Sequence, residues 1–252
     1  MAGGGPIGDF LFLLLGASSV YIGGMYLNDA FDAEFDAAHR SERPIPAGLI
    51  PQRLVSALGW MWLAIGLLGM GLAGTAVAPW ALALAGAVVA YDIWHKKISW
   101  APVLMAACRF FLYLAAAASG RYGLTSLAIW GAVVLFAYIV GLSYLARSES
   151  FGDVSAWWPL LLLAGPLILA VPANRGWYFA HTWPVALVFA LWTIRSISFA
   201  WTSRKIGKAV SGLLAGIVLV DMLNCAALDS SGLLFILFFL ASLLFQRFIP
   251  AT

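Results

Sequence analysis

Residues 28–36 hold a dense cluster of oxygen-bearing side chains, at the end of an almost uncharged apolar run over residues 10–27. If that run continues as a helix, four of these side chains share one helical face: Asn28, Asp29, Asp32 and Asp36. Acids crowded on one face repel one another, so we expect them to hold protons or to bind a cation. Oxygen ligands suit Mg²⁺, which proteins usually hold through one or two carboxylates together with substrate phosphates.

A basic, proline-rich loop follows this acidic stretch. Arg40 and Arg43 lie three residues apart, and a Pro-x-Pro-x-Gly turn comes directly after them. Such a loop is stiff, and its guanidinium groups can bind a phosphate. The acids suit Mg²⁺ and the neighbouring guanidinium groups suit phosphate. Together they predict a site that binds a diphosphate through Mg²⁺. The alternative is a solvated helix end followed by a positively charged anchor loop, which explains the arginines but not the acids.

The rest of the sequence is typical of a membrane protein. Of its 252 residues 63% are hydrophobic and only 10% are charged, too few to cover the surface of a soluble domain. We predict an all-α, polytopic transmembrane helical bundle in a lipid bilayer, with a tight antiparallel pair formed by its second and third spans. Nine spans are expected at about 10–29, 54–76, 77–93, 99–119, 124–146, 156–173, 178–199, 207–227 and 231–249.

The positions of Lys and Arg predict the orientation of this bundle. Eleven of the 14 lie in alternate loops and the C-terminal tail, whereas Arg121 and Arg175 lie on the other side and Arg109 lies within a span. Positive charge is enriched in cytoplasmic loops, so the acidic stretch should face the cytoplasm. No glycine-rich nucleotide loop, nucleic-acid-binding surface or HExxH zinc pair is present.

The acidic stretch and its loop resemble the first motif of the UbiA superfamily of intramembrane prenyltransferases. That motif, NDxxDxxxD with a basic loop containing Arg-Pro, is matched by Asn28, Asp29, Asp32, Asp36 and residues 43–48. The resemblance runs from about residue 10 to the C-terminus, which implies one domain over residues 1–252. It implies Mg²⁺-dependent transfer of an isoprenyl group from a prenyl diphosphate to an aromatic or polar acceptor, with Asp29, Asp32 and Asp36 as catalytic residues.

Further site residues lie inside or beside the later spans. Tyr91 and Lys96 resemble the family's Tyr-x(3–4)-Lys segment, in which the lysine meets the diphosphate, although a belt of aromatic and snorkelling basic side chains fits too. Arg109 is a charge within a span, and we expect it to contact the diphosphate or the acids. Asp221 and Asn224 either serve a polar site or hydrogen-bond a neighbouring helix.

The fifth span ends in a segment that departs from the family pattern. Where the family usually has a second motif, DxxxD, this chain has only Glu149 and Asp153, with Gly152 between them. The segment ARSESFG most resembles the EboC branch of the superfamily. That resemblance implies a catalytic, metal-binding Glu149, a metal-binding Asp153 and a diphosphate-binding Arg147. The altered motif leaves open a protein that binds or moves a lipid-linked intermediate without transferring it.

The resemblance also implies a helix that precedes the first motif and a cytoplasmic N-terminus. The charge distribution agrees, because one added helix ahead of residue 10 would restore that topology. We therefore expect the sequence to start late, by truncation or by a misplaced start codon. We expect the protein in a bacterial cytoplasmic membrane, with its site facing the cytoplasm. A CDP-alcohol phosphatidyltransferase would need an Asp-Gly-x-x-Ala-Arg segment, which residues 10–27 do not contain.

Overall fold

The structure, a computed structural model, describes residues 6–151, 158–168, 179–203, 205–225, 232–246 and 248. In this part of the chain all regular secondary structure is helical. The helices are α1 (Ile7–Phe31), α2 (Ala33–His39), α3 (Gln52–Leu72), α4 (Ala78–Trp94), α5 (Ala101–Ser119), α6 (Ser126–Phe151), α7 (Trp158–Leu163), α8 (Phe179–Ser203), α9 (Ile206–Asn224) and α10 (Gly232–Phe245).

These helices confirm the predicted all-α membrane fold. Within the described residues, six segments are long and apolar enough to cross a membrane: Ile7–Phe31, Gln52–Leu72, Ala101–Ser119, Ser126–Arg147, Thr182–Trp201 and Ile206–Asn224. The apolar helices α4 and α10 are shorter, with 17 and 14 residues. The predicted span 156–173 is described only over residues 158–168. The chain is therefore an integral membrane protein.

The described residues divide into two compact units, a first unit up to Thr125 and a second unit from Ser126 onwards. In the first unit α3 packs mainly on α1, and α4 packs mainly on α5. The expected tight pairing of the second and third spans is therefore only partly right, because α3 and α4 do touch but each has another main partner. The prediction of one domain over residues 1–252 stays a prediction.

Glycines set the close packing of α1 on α3. A Cβ atom added at Gly23 would lie 2.8 Å from the backbone nitrogen of Leu63, and one at Gly66 would lie 2.7 Å from that of Val20. Small residues let membrane helices approach backbone to backbone, where van der Waals contact replaces the missing hydrophobic driving force. Leu27 and Met70 fill the same interface and are fully buried. This interface holds the end of α1, and with it the acidic stretch, in a fixed position.

Two glycines of α3 test this packing. Gly66→Ala is expected to destabilise the protein by about 1–3 kcal/mol, because a methyl group would overpack the interface with α1. Gly71→Ala is the matched control, since a Cβ atom at that position meets nothing within 4 Å. The control should be neutral or slightly stabilising, because alanine favours a helix more than glycine does. Thermal unfolding in detergent measures both, and equal unfolding temperatures would contradict this account of the interface.

In the second unit, polar side chains join the helices through backbone carbonyl groups. Tyr138 Oη donates to the Leu213 carbonyl at 2.8 Å, and Trp192 Nε1 donates to the Gly212 carbonyl at 2.7 Å. Asn224 is buried, and its Nδ2 donates to the Gly131 carbonyl at 3.5 Å. Of the two roles considered for Asn224, the structure therefore shows the hydrogen bond between helices.

Candidate active site

The acidic stretch lies where α1 passes into α2. Asp32 is the single turn residue between the two helices, yet the backbone hydrogen bonds continue through it. Its N–H donates to the Asn28 carbonyl at 2.9 Å, and the Asp36 N–H donates to the Asp32 carbonyl at 2.8 Å. The four-residue spacing is therefore kept across the turn, and the acids project from neighbouring positions of one helical path.

Arg43 binds two of these acids. Its Nη1 donates to Asp36 Oδ2 at 2.9 Å and to Asp29 Oδ1 at 3.2 Å. The side chain of Asp36 is only 2% exposed, whereas that of Asp29 is 56% exposed. The other N–H groups of the Arg43 guanidinium form no hydrogen bond with the described residues, so the guanidinium group keeps donors for an anion.

The loop after α2 holds Arg43 in this position. Its backbone closes on itself, because the Ala47 N–H donates to the Arg43 carbonyl at 2.9 Å and the Leu49 N–H donates to the Pro44 carbonyl at 3.0 Å. Gly48 has a φ of +72°, a conformation that side chains with a Cβ atom rarely adopt. The loop is therefore an ordered turn, as its proline and glycine residues predicted.

Lys96 and His95, which directly follow α4, bind the remaining acid of the stretch, Asp32. Lys96 Nζ lies 2.8 Å from Asp32 Oδ2, and His95 Nε2 lies 3.5 Å from Asp32 Oδ1. The ammonium group of Lys96 also sits 3.8 Å from the centre of the Phe35 ring, a cation–π contact. The Tyr91 ring stacks on the imidazole of His95 at 5.0 Å. The structure thus brings Tyr91 and Lys96 to the acidic stretch.

Asp92 is a fourth acid at this site, and the sequence reasoning missed it. It is 5% exposed, and its Oδ1 accepts a hydrogen bond from Asn28 Nδ2 at 3.2 Å. A signal was available, because an acid within an apolar segment is costly and usually functional. His95 was missed as well, since a single histidine among interfacial aromatic residues has no diagnostic spacing.

These groups carry more acid than permanent positive charge. Among the described residues, the permanently charged side chains paired with the four acids Asp29, Asp32, Asp36 and Asp92 are those of Arg43 and Lys96. Asp36 Oδ1 and Asp92 Oδ2 are buried and have no hydrogen-bond partner among the described residues. Buried carboxylate oxygens without a partner cost free energy that a bound cation would recover. The donor set therefore fits a hard cation such as Mg²⁺.

The described side chains do not form a complete metal cage. No group of three or more His, Cys, Asp or Glu residues among them is arranged to hold a metal ion. Instead the acids fall into two sets, one around Arg43 and one around Lys96. Since Mg²⁺ usually takes one or two carboxylates and completes its ligands with water and substrate phosphates, such a divided arrangement remains compatible with it.

A cavity of about 290 Å³ opens beside the Arg43 set. Asp29, Asp36 and Arg43 line its polar side, and the rest is lined by Tyr26, by Val55 of α3 and by the prolines and isoleucines of the loop. This volume is at the lower end of the range for small-molecule sites, which is roughly 300–1,000 Å³. The cavity therefore combines acids, a guanidinium group with unused donors, and apolar walls.

The roles of the other predicted site residues are not tested by the described structure. Arg40 and Arg109 are exposed and form no ion pair with a described residue, so their roles in diphosphate binding stay predictions. Arg147 lies on α6, in the second unit. The side chain of Glu149 and the whole of Asp153 lie outside the described residues. The second motif therefore stays a prediction too.

Comparison with known proteins then places the sequence. The UbiA prenyltransferase family matches residues 1–156, well over half of the chain. The chain belongs to the UbiA prenyltransferase family. It is also similar to a protein named digeranylgeranylglyceryl phosphate synthase from Metallosphaera sedula, with 25% identity over 232 residues that cover 85% of this chain and 70% of the relative. No solved structure gives a significant match.

Proposed function

We propose that this UbiA-family protein transfers an isoprenyl group from a prenyl diphosphate to an aromatic or polar acceptor, with Mg²⁺ as its cofactor. The observation that carries the proposal is the pairing of Asp29 and Asp36 with Arg43 on the wall of one cavity. Acids that suit Mg²⁺ and a guanidinium group that suits phosphate are the two elements that a metal-bound diphosphate requires. When bound, Mg²⁺ would neutralise charge on the diphosphate and make it a better leaving group.

Arg43 contributes directly to leaving-group stabilisation in this proposal. One of its nitrogens holds Asp29 and Asp36, while its remaining N–H groups can donate to a diphosphate oxygen in the cavity. Negative charge on that oxygen grows as the carbon–oxygen bond breaks. A guanidinium group that is already held in place stabilises this charge without reorganising.

Lys96 supplies a second positive charge, from the side of α4. It is bound to Asp32 and rests on the Phe35 ring, and these contacts hold its flexible side chain. An ammonium group held in this way acts on a phosphate as a point charge. The apolar residues that line the cavity, among them Ile45, Ile50 and Val55, limit the entry of water that would hydrolyse an allylic cation.

The acceptor and the branch of the family belong to the same proposal. The relative's name describes a prenylated glyceryl phosphate, which makes a polar phosphorylated acceptor the first class to test. The segment from Ala146 to Gly152 supports the EboC branch. The Lys and Arg distribution supports an acidic stretch that faces the cytoplasm of a bacterial cell.

A second candidate function follows from the altered second motif. With Glu149 and Asp153 in place of DxxxD, the protein would bind or move a lipid-linked intermediate and not transfer it. The intact first motif argues against this candidate, because a protein that had lost catalysis should have lost acids from both motifs.

One experiment separates the two candidates. Purified protein is incubated with radiolabelled prenyl diphosphates of several lengths, with Mg²⁺, and with either a glyceryl phosphate or a phenolic acceptor. Formation of a prenylated product that Glu149→Gln abolishes would support transfer. Retention of the donor without any product, unchanged in Glu149→Gln, would favour the carrier. The absence of donor binding would contradict both.

A further inference from the structure

We propose that Asp92 is a further cation-binding residue of this site and binds the cation through Oδ2, beside Asp32 and Asn28. This inference deepens the proposed function and rests on it, since that function requires a cation beside the diphosphate. Asp92 lies outside the acidic stretch, in the last turn of α4, so that a second helix would contribute an oxygen ligand.

The two oxygens of Asp92 have different surroundings. Oδ1 accepts the hydrogen bond from Asn28 Nδ2, at 3.2 Å. Oδ2 is buried and has no hydrogen-bond partner among the described residues. The residue as a whole is only 5% exposed, so water does not replace that partner. A buried carboxyl oxygen left unpaired costs free energy that a bound cation would recover. An oxygen of this kind, next to other acids, is suited to a cation.

The hydrogen bond to Asp92 also orients the amide of Asn28. A carboxylate accepts hydrogen bonds and does not donate them, so the NH₂ group of Asn28 must face Asp92. The amide oxygen of Asn28 is then directed away from Asp92, and it forms no hydrogen bond with a described residue. Asp92 therefore leaves an amide oxygen available as a second ligand.

Asp32 completes the set. It follows Asn28 by one helical turn, its N–H donates to the Asn28 carbonyl, and it lies close enough to Asp92 for their charges to repel. The full positive charge that faces this set in the described structure is that of Lys96, bound to Asp32 Oδ2. Two carboxyl groups and an amide oxygen against one ammonium group form an oxygen-only set that favours a hard divalent ion.

A structural role for Asp92, as a hydrogen-bond acceptor for Asn28 alone, is the main alternative. Asp92→Asn distinguishes the two. It keeps the shape of the side chain and an Oδ1 that accepts from Asn28, but it replaces Oδ2 with an amide nitrogen that cannot bind a cation. A structural role would survive this change, whereas a ligand role would not. Asp92→Glu keeps the carboxylate and is the conservative variant.

The test is direct binding of Mn²⁺, used as a paramagnetic substitute for Mg²⁺, to purified protein in detergent by electron paramagnetic resonance. Asp92→Asn is expected to weaken binding about 10-fold or more, comparable to the loss of a residue that supports a metal ligand. Asp92→Glu should stay within a few fold of wild type. Glu34→Gln, on an exposed acid of α2, is the matched control and should bind as wild type does.

The outcomes separate this inference from the proposed function. Binding by wild type with no loss in Asp92→Asn would overturn the role of Asp92 and leave the proposed function standing. Equal weakening in Asp92→Asn and Asp92→Glu would show disturbed packing and would also overturn it. No Mn²⁺ binding by wild type, with or without inorganic diphosphate, would overturn both. Asp92→Ser, which also lacks the carboxylate, is read in the same way if Asp92→Asn does not fold.

Discussion

Asp32→Ala is expected to lower Mg²⁺-dependent diphosphate release by about 10²–10³-fold, the loss usual for a group that stabilises transition-state charge. Asp32 is 7% exposed and binds both Lys96 and His95. Its removal would take away one acid for the cation and would also release Lys96 from the position in which it faces the diphosphate. One substitution therefore affects both halves of the proposed charge arrangement.

Two further variants make this result specific. Glu34→Ala removes an exposed acid two residues away in sequence and should leave the rate within about twofold, as expected for a surface change. Asp32→Asn keeps the volume of the side chain and should be nearly as inactive as Asp32→Ala. Diphosphate release is measured with a radiolabelled donor at saturating Mg²⁺, and the unfolding temperature of each variant is recorded. An active Asp32→Asn would show that Asp32 acts through its shape and not through its charge.

Arg43→Ala is expected to raise the KM for the prenyl diphosphate about 10–100-fold, which corresponds to the loss of one hydrogen bond to a charged group, and to lower kcat because the leaving group loses its guanidinium partner. The same substitution leaves Asp36, whose side chain is 2% exposed, without a cation. Breaking a buried ion pair costs about 3–5 kcal/mol. The cost should fall at or below the low end of that range, because the side chain of Arg43 is itself 36% exposed.

Separate measurements distinguish the two effects of this substitution. The KM reports on diphosphate binding, and thermal unfolding without substrate reports on Asp36. Arg43→Lys should restore much of the lost stability but less of the lost affinity for the diphosphate, since an ammonium group lacks the planar set of donors. Arg53→Ala, an exposed arginine at the start of α3 that forms no ion pair with a described residue, is the control. An unchanged KM in Arg43→Ala would remove Arg43 from the binding site.

The fold was largely predictable because membrane spans have a strong sequence signal. Apolar runs bounded by proline and glycine gave the positions of α1, α3, α4 and α5 within a few residues. Packing partners were less predictable. The loop between α3 and α4 indicates that they are neighbours, but the glycines that bring α3 onto α1 lie on two different helices. Only their positions in space show that they face each other.

The candidate site was predictable where its residues are close in sequence. The spacing of Asn28, Asp32 and Asp36 and the following Arg43 was enough to indicate acids beside a guanidinium group. Asp92 was missed because its contact with Asn28 spans 64 residues. No spacing rule joins two single polar residues on different helices. Conversely, the charge of Arg109 within a span suggested a contact with the acids that the described residues do not make.

The most direct test of the central claim is diphosphate release from a radiolabelled prenyl diphosphate by the purified wild-type protein, with Mg²⁺ and with a chelator. The account predicts release that requires Mg²⁺, is lost in Asp32→Ala and is retained in Glu34→Ala. Release that continues at the same rate in the chelator would contradict the role assigned to the acids. Neither release nor binding of the donor at saturating Mg²⁺ would contradict the proposed prenyl transfer itself.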